Sequence, residues 1–450
     1  MESLEATLNL GATLTIPESD STGERMHQFI AELYPICRSI TGDGVRATLR
    51  RIQREVPLVI KEIPSGTPVF DWTVPREWNI RDAYIKNSRG ERVVDFQKSN
   101  LHVVSYSVPI RRRMPLAELR PHLHTLPDRP DWIPYRTSYY QDNWGFCLSE
   151  RQLKRLDDEE YEVCIDSTLE DGSLTYGELI LPGETSHEML FSCHVCHPSM
   201  CNDNLSGIAI ATFLAQRLQS APRRYSYRFL FIPGTIGAIT WLAKNAETAY
   251  RIRHGLVLAG VGDRYPLVYK KSRRGNAEID RAVAHVFRHS GREYKTTDFS
   301  PYGYDERQYC SPGFDLAVGR LSRAPHGEFL EYHTSADNLE FVAPESLTET
   351  FSVCLKIIDL LEHNRTYISM NPRCEPQLGK RGLYRAIGGK SDSGRSEMAL
   401  LWVLNLSDGR HTLLDIAERA ELPFAAVASA TEILEKHGLL RDSPDALQAT

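Results

Sequence analysis

Apolar residues three and four apart first set in at Met26 and continue through Phe29, Ile30 and Leu33, which predicts a helix after a polar leading stretch. Thr41-Gly42-Asp43-Gly44 is a turn signal, and a second amphipathic helix is expected from Val45 to Glu55. From residue 66 to 165 the pattern changes: short β-type runs such as Leu101–Val108 and Glu160–Ile165 alternate with turns, the signature of a β-rich insertion. Within it, LHTLPDRPDWIPYRTSYYQDNWGF is a loop-like aromatic span that either walls a substrate pocket or packs the β domain.

From residue 176 to 363 buried strands alternate with helices. Glu188–Cys193, Tyr227–Ile232, Leu256–Ala259 and the strand-like Leu316–Leu321 are apolar runs. Leu205–Leu218 reads as a helix with Ile208, Ala211, Ala215 and Leu218 on one side, and further helices are expected at Ile236–Asn245 and Asn276–His289. Such alternation predicts an α/β fold with a mostly parallel sheet covered by helices. Past Asn371 comes a linker with Pro372, Pro376 and the turn-like GGKSDSG. Helices at Glu397–Asn405, Leu413–Ala420 and Ala425–His437 then form a winged helix-turn-helix. The expected domains are an α/β domain from 22–65 and 166–368, an inserted β-rich domain at 66–165, and a winged-helix domain at 372–445.

Composition is that of an ordinary globular protein, with 41% hydrophobic and 25% charged residues. The net charge of -6 gives no general attraction to nucleic acid or anionic lipid. No apolar run reaches the roughly eighteen residues of a membrane span. Residues 1–20 carry Glu2 and Glu5 with no basic or continuous apolar stretch, unlike a signal or transit peptide, so a cytoplasmic location is expected. Nine cysteines, an odd count in such a chain, point to reduced thiols.

The chemistry concentrates in SCHVCHPSMCNDNLSG, residues 192–207. His194 falls just beyond a buried strand, at the carboxyl end of the sheet where open α/β folds gather their sites, and Asp203 lies in the polar turn that opens the next helix. His333 sits in the polar loop Glu331–Asn338. Two imidazoles and a carboxylate suit zinc and leave a fourth position open, as in a catalytic site. Taken singly, Asp203 is equally an N-cap and either histidine an ordinary hydrogen-bonded residue. Cys193 and Cys196 form a C-x-x-C pair without the second pair of a zinc ribbon.

Cys201-Asn202-Asp203-Asn204-Leu205-Ser206-Gly207 resembles the Asn-Asp-Asn-x-Ser-Gly signature of zinc aminopeptidases and glutaminyl cyclases, and Tyr332–Asp337 resembles their terminal His-Thr loop. RSITGDGVRATL, FDWTVPREWNIRDAYI, CHPSMCNDNLSG, YDERQYCSPG and EYHTSADN resemble, more closely, a bacterial aminopeptidase-like family that also carries a C-terminal winged helix. The resemblance implies a zinc-aminopeptidase-like fold with His194, Asp203 and His333 as metal ligands. In the two-metal aminopeptidases a Glu-Glu pair and a further aspartate complete the centre. Here Gly234-Thr235 and Ala259-Gly260-Val261-Gly262 stand at those places, which implies one zinc per chain.

The general base is sought among Asp305, Glu306 and Glu331, and substrate contacts among Arg307, Tyr309 and Tyr332. Each carboxylate is otherwise a solvated group or an ion-pair partner of Arg307 or Arg320. The expected activity is metal-dependent hydrolysis of an amide bond in a small amino-acyl or peptide-like substrate. The alternative is a non-catalytic, or acyl-transferring and cyclising, protein that binds a biosynthetic intermediate. The presumptive recognition helix PFAAVASATEILEKHGLL has one lysine, one histidine and two glutamates, so neither nucleic acid nor a membrane is an expected partner, and docking or homo-oligomerisation is the expected role.

Overall fold

The computed structural model describes residues 21–325, 327–383 and 391–443. The expectation of no leader at residues 1–20, residues 384–390 of the linker, and residues 444–445 of the winged-helix range lie outside them. The described chain forms two compact units, one of residues 21–280 and 294–351, the other of residues 281–293 and 352 onward.

The first unit is organised around an eight-stranded sheet. Its four inner strands, in the order Ser226–Ile232, Glu188–His194, Ile252–Leu258 and Val318–Ser322, run parallel. Ser173–Leu181 and Val59–Pro64 add antiparallel strands on one side; Val268–Lys270 adds an antiparallel strand on the other and pairs in parallel with Lys295–Thr297. Glu188–His194 and Ser226–Ile232 are buried at every position, so they read as continuous apolar runs and not as alternating ones. The chain leaves Glu188–His194 through the helix Ser206–Gln219, returns as Ser226–Ile232 on one side, and later forms Ile252–Leu258 on the other. The strand order therefore reverses at Glu188–His194, which opens a crevice at the carboxyl end of that strand.

The insertion builds an antiparallel sheet in the order Arg92–Asp95, Glu77–Lys86, Glu160–Glu170 and Ile110–Pro115. The strand expected at Glu160–Ile165 runs on to Glu170, so this sheet extends past residue 165. Leu101–Val108 is not a strand: Asn100–His102 is a short 3-10 turn and residues 101–107 are all buried. Burial without ladder pairing is what this apolar run satisfies. Its backbone N–H groups are met one by one, Val104 by Gly145, Ser105 by Arg136 and Val108 by Asn143.

In the second unit the helices Ser391–Leu406, Leu413–Ala420 and Phe424–Lys436 accompany a small sheet of Asp408–Thr412, Thr366–Ser369 and Leu440–Asp442. The sheet draws in Thr366–Ser369, ahead of the expected boundary at 372. The first helix begins at Ser391 inside the expected linker, since a Ser-Asp-Ser run starts a helix as readily as it makes a turn. Thr412 and Asp415 form a reciprocal capping box at the second helix. All nine cysteines are unpaired, and no described helix is long and apolar enough to cross a membrane.

Candidate metal centre

His194 is the last residue of its strand, and its side chain is 1% exposed. Asp203 follows in the irregular turn Cys201–Leu205 that leads into the helix Ser206–Gln219. Gly207 is needed there: a Cβ would stand 2.4 Å from the Leu258 carbonyl oxygen and 2.5 Å from Asn204 Nδ2, so only glycine lets the helix start against the strand end.

The turn is held by side-chain hydrogen bonds to its backbone and from its own side chains to the neighbouring loops. Asp337 accepts the N–H of Asn202 at 2.6 Å and of Asp203 at 2.9 Å. Asn202 donates to Asp263 at 2.8 Å and accepts from Gly262 N–H at 2.9 Å. Asn204 donates to the Leu258 carbonyl at 2.8 Å and accepts from Gly260 N–H at 3.2 Å. Asp337 is fully buried; burial, with the charges of Asp203 and Asp263, pushes its carboxyl up to about 8.

His333 arrives from a different direction. Its φ of +54° lies in the left-handed region, which costs a non-glycine residue about 1–3 kcal/mol unless the surroundings impose it. The insertion supplies those surroundings: Tyr135 N–H donates to the His333 carbonyl at 2.8 Å, Ser335 N–H to Ile133 at 2.9 Å, and Ile133 N–H to Ser335 Oγ at 3.0 Å. Tyr332 stacks on the imidazole with ring centroids 3.9 Å apart, and Tyr135 meets it edge-on.

These elements converge on one carboxylate. His194 Nε2 lies 2.7 Å from Asp203 Oδ1, and His333 Nε2 lies 3.1 Å from Oδ2 without hydrogen-bond alignment. A third imidazole, His197, places its Nε2 3.8 Å from the same Oδ2. Sequence reasoning passed over His197, although it stands in the same His-Val-Cys-His segment as His194. Burial drives the His197 imidazole well below its ordinary value despite Asp203, so it is neutral and able to offer a lone pair. Burial alone would raise Asp203, but the neighbouring imidazoles of His197 and His194 outweigh it and hold the carboxylate ionised.

Asp203 Oδ2 and His333 Nε2 are buried and lack any hydrogen-bond partner among the described residues. Orphaned buried polar atoms of this kind demand a missing partner. Imidazoles around an ionised carboxylate are the donor set of a divalent cation, zinc above all, so the residues present fit such an ion.

The remaining expected residues separate. Asp305 is fully buried beside His194: a Cβ on Gly234 would lie 3.2 Å from His194 Cβ and 3.5 Å from Asp305 Oδ1. Neither Asp305 oxygen has a hydrogen-bond partner among the described residues, and burial, with Glu306 nearby, pushes the carboxyl up to about 7. Glu306 is a correction: it is inaccessible and ion-paired to Lys270 at 2.8 Å, so it serves the scaffold. Tyr309 is a second correction, since its hydroxyl is buried against Ser192 Oγ at 3.0 Å and its ring against Trp241, out of a substrate's reach. Arg307 is half-buried next to Asp305, and the half-buried Glu331 uses its carbonyl to cap Thr334. Tyr332 and His333 face a cavity of about 530 Å3 whose opposite wall comes from the insertion, with Tyr135, Arg129 and Arg136. Of the two uses left open for the aromatic span, part of it does wall this cavity.

Two family models account for the chain: a domain of unknown function designated DUF4910 matches residues 27–364 and a winged helix-turn-helix matches residues 365–442. The chain belongs to the DUF4910 family. A protein of Clostridium acetobutylicum, provisionally named for polysaccharide biosynthesis and an aminopeptidase-like domain, is 53% identical over 426 residues, covering 95% of this chain and 98% of the relative. A crystal structure from the same organism, provisionally called a peptidase, matches with a TM-score of 0.90 at 51% identity, covering 94% of this chain and 97% of the other. BSAP, a zinc aminopeptidase from Bacillus subtilis, matches with a TM-score of 0.55 at 12% identity over 76% of this chain and 95% of its own, which shows a shared fold. The DUF4910 region is thus an aminopeptidase-like α/β domain with a large, mostly parallel sheet, and a winged helix follows it.

Proposed function

We propose that this DUF4910 protein is a metal-dependent hydrolase that cleaves an amide bond in a small amino-acyl or peptide-like substrate, with one zinc per chain. The observation that carries this reading is the ionised, fully buried Asp203 ringed by His194, His197 and His333, with two of the group's polar atoms lacking partners beside a cavity. A zinc ion held by these side chains supplies Lewis-acid polarisation of an acyl carbonyl and acidification of water.

The chain's own residues supply the rest. A side chain on Gly234 would meet Asp305 Oδ1 at 3.5 Å, so a carboxylate from another loop stands beside the segment where the resemblance to the two-metal aminopeptidases expects the Glu-Glu pair. With its pKa near 7, Asp305 is matched to accept a proton from attacking water and return it to the leaving amine near neutral pH. This placement favours an enzyme over a binding module left by a lost active site. Tyr332 and Tyr135 flank His333 and orient it, and the cavity above them has room for a small substrate. The relative's name sets that protein in polysaccharide biosynthesis; for this chain we take from it a biosynthetic setting.

The test is to incubate zinc-loaded protein with a panel of aminoacyl and acyl amides and follow release of free amine. Turnover that requires zinc and falls with Asp305→Asn supports the reading. Absence of turnover by fully metal-loaded protein across the panel counts against it, and a product mass lower by water would instead reveal cyclisation.

A further inference from the structure

Proximity alone does not say which imidazoles hold the cation. His194, His197 and Asp203 have ligating atoms all within 4.8 Å of one another, which favours a set containing His194. The hydrogen-bond pattern favours a different one.

An imidazole binds a metal only through a ring nitrogen whose lone pair is free, and the partner of the other nitrogen decides which one that is. The orientation of the Asn204 amide is fixed by backbone: its Oδ1 accepts from Gly260 N–H at 3.2 Å and Gly207 N–H at 3.3 Å, and its Nδ2 donates to the Leu258 carbonyl at 2.8 Å. The same Nδ2 faces His194 Nδ1 at 3.4 Å. A ring nitrogen that looks at an N–H donor keeps its lone pair, so the proton of His194 resides on Nε2 and is donated to Asp203 Oδ1 at 2.7 Å. To bind a cation through Nε2, His194 would have to move that proton to Nδ1 and point it at an amide donor.

His197 has the opposite pattern. Cys196 Sγ donates towards the Gly234 carbonyl at 3.8 Å, and its sulfur lone pairs lie 3.4 Å from His197 Nδ1. His197 therefore carries its proton on Nδ1, which leaves the lone pair on Nε2, the atom that lies 3.8 Å from Asp203 Oδ2. On that side of the carboxylate lie the two unpartnered atoms, Oδ2 itself and His333 Nε2.

We infer that the cation sits on the Oδ2 side of Asp203, held by Asp203, His197 and His333, and that His194 is a positioning residue that anchors Oδ1 by a hydrogen bond. His197 then supplies the donor that the Glu-Glu segment provides in the two-metal aminopeptidases. Two imidazoles and one carboxylate still leave a coordination position for substrate. This rests on the reading above that the centre binds a cation, and it changes which residues do so.

The experiment uses full-length protein stripped of metal and titrated with cobalt(II), with bound metal measured after gel filtration and the visible absorption spectrum recorded. Wild-type protein takes up one equivalent. His194→Gln, whose amide N–H still reaches Oδ1, binds within about tenfold of wild type and keeps the cobalt spectrum, whereas His197→Ala and His333→Ala weaken binding by at least about a hundredfold. Because the alanine variants are open to misfolding, His197→Cys gives a positive readout: a sulfur-to-cobalt charge-transfer band that wild type lacks and that His194→Cys does not acquire. The band in His194→Cys and not in His197→Cys, or loss of metal from His194→Gln with an unchanged far-ultraviolet circular dichroism spectrum, overturns the assignment. Failure of wild-type protein to take up any metal overturns instead the reading on which it rests.

Discussion

Asp305 and Glu306 are neighbours in sequence, both wholly inaccessible, and they inhabit opposite environments. Glu306 turns to the scaffold, where Lys270 lies at 2.8 Å and Arg320 at 3.7 Å, and Lys270 is fixed further by the Tyr302 carbonyl. Asp305 turns to the strand ends beside His194 and meets no hydrogen-bond donor among the described residues. A buried carboxylate with a cationic partner is stable but chemically committed, while one without a partner is costly and available for proton transfer. The difference teaches where this turn supports the fold and where it serves the crevice.

The largest expected effect breaks the Asp305 side. Asp305→Asn should lower kcat about 10²–10⁴-fold with bound metal unchanged, measured by amide turnover and metal analysis side by side. On the other side, Lys270→Met removes the 2.8 Å partner of Glu306 and leaves this buried charge only the more distant Arg320, which should destabilise the protein by about 3 kcal/mol in urea unfolding. A smaller effect sharpens the contrast through pH. In metal-free protein the Asp305 carboxyl, raised to about 7, keeps its proton in the folded state where the unfolded chain has lost it. The Asp305 share of the unfolding free energy should therefore fall as pH rises from ~4 to ~7, by at most about 1.4 kcal/mol per unit, and that share should level off above. Asp337, raised to about 8, contributes in the same direction, so Asp305→Asn should remove only its own share of the slope. The smallest effect concerns the turn that both sides depend on: Asn202→Ala should weaken zinc about 10–100-fold, read by competition with a chelating dye.

Much of this was legible in the chain. The apolar runs at 188–193 and 227–232 announced buried parallel strands because both of their faces are covered, and the Asn-Asp-Asn turn announced the carboxylate. His194, Asp203 and His333 were singled out by residue type, by the ends of predicted elements and by the resemblance to the zinc aminopeptidases, and the three side chains do converge. The separate fates of Asp305 and Glu306 were not legible, since which side of a four-residue helix faces Lys270 is decided by a strand more than thirty residues earlier. Leu101–Val108 misled because apolar content signals burial and not extended pairing. His197 escaped notice because its importance lies in which of its two nitrogens Cys196 engages, and hydrogen-bond direction has no signature in sequence.

The pairing of Pro134 with Thr334 joins the insertion to the loop that carries His333. The insertion is consequently no detachable ornament: a mutation, a proteolytic cut or an arriving ligand that shifts residues 133–135 moves an imidazole of the centre with them. Any chemistry done here is under the mechanical control of a segment that the aminopeptidase-like sheet itself does not contain.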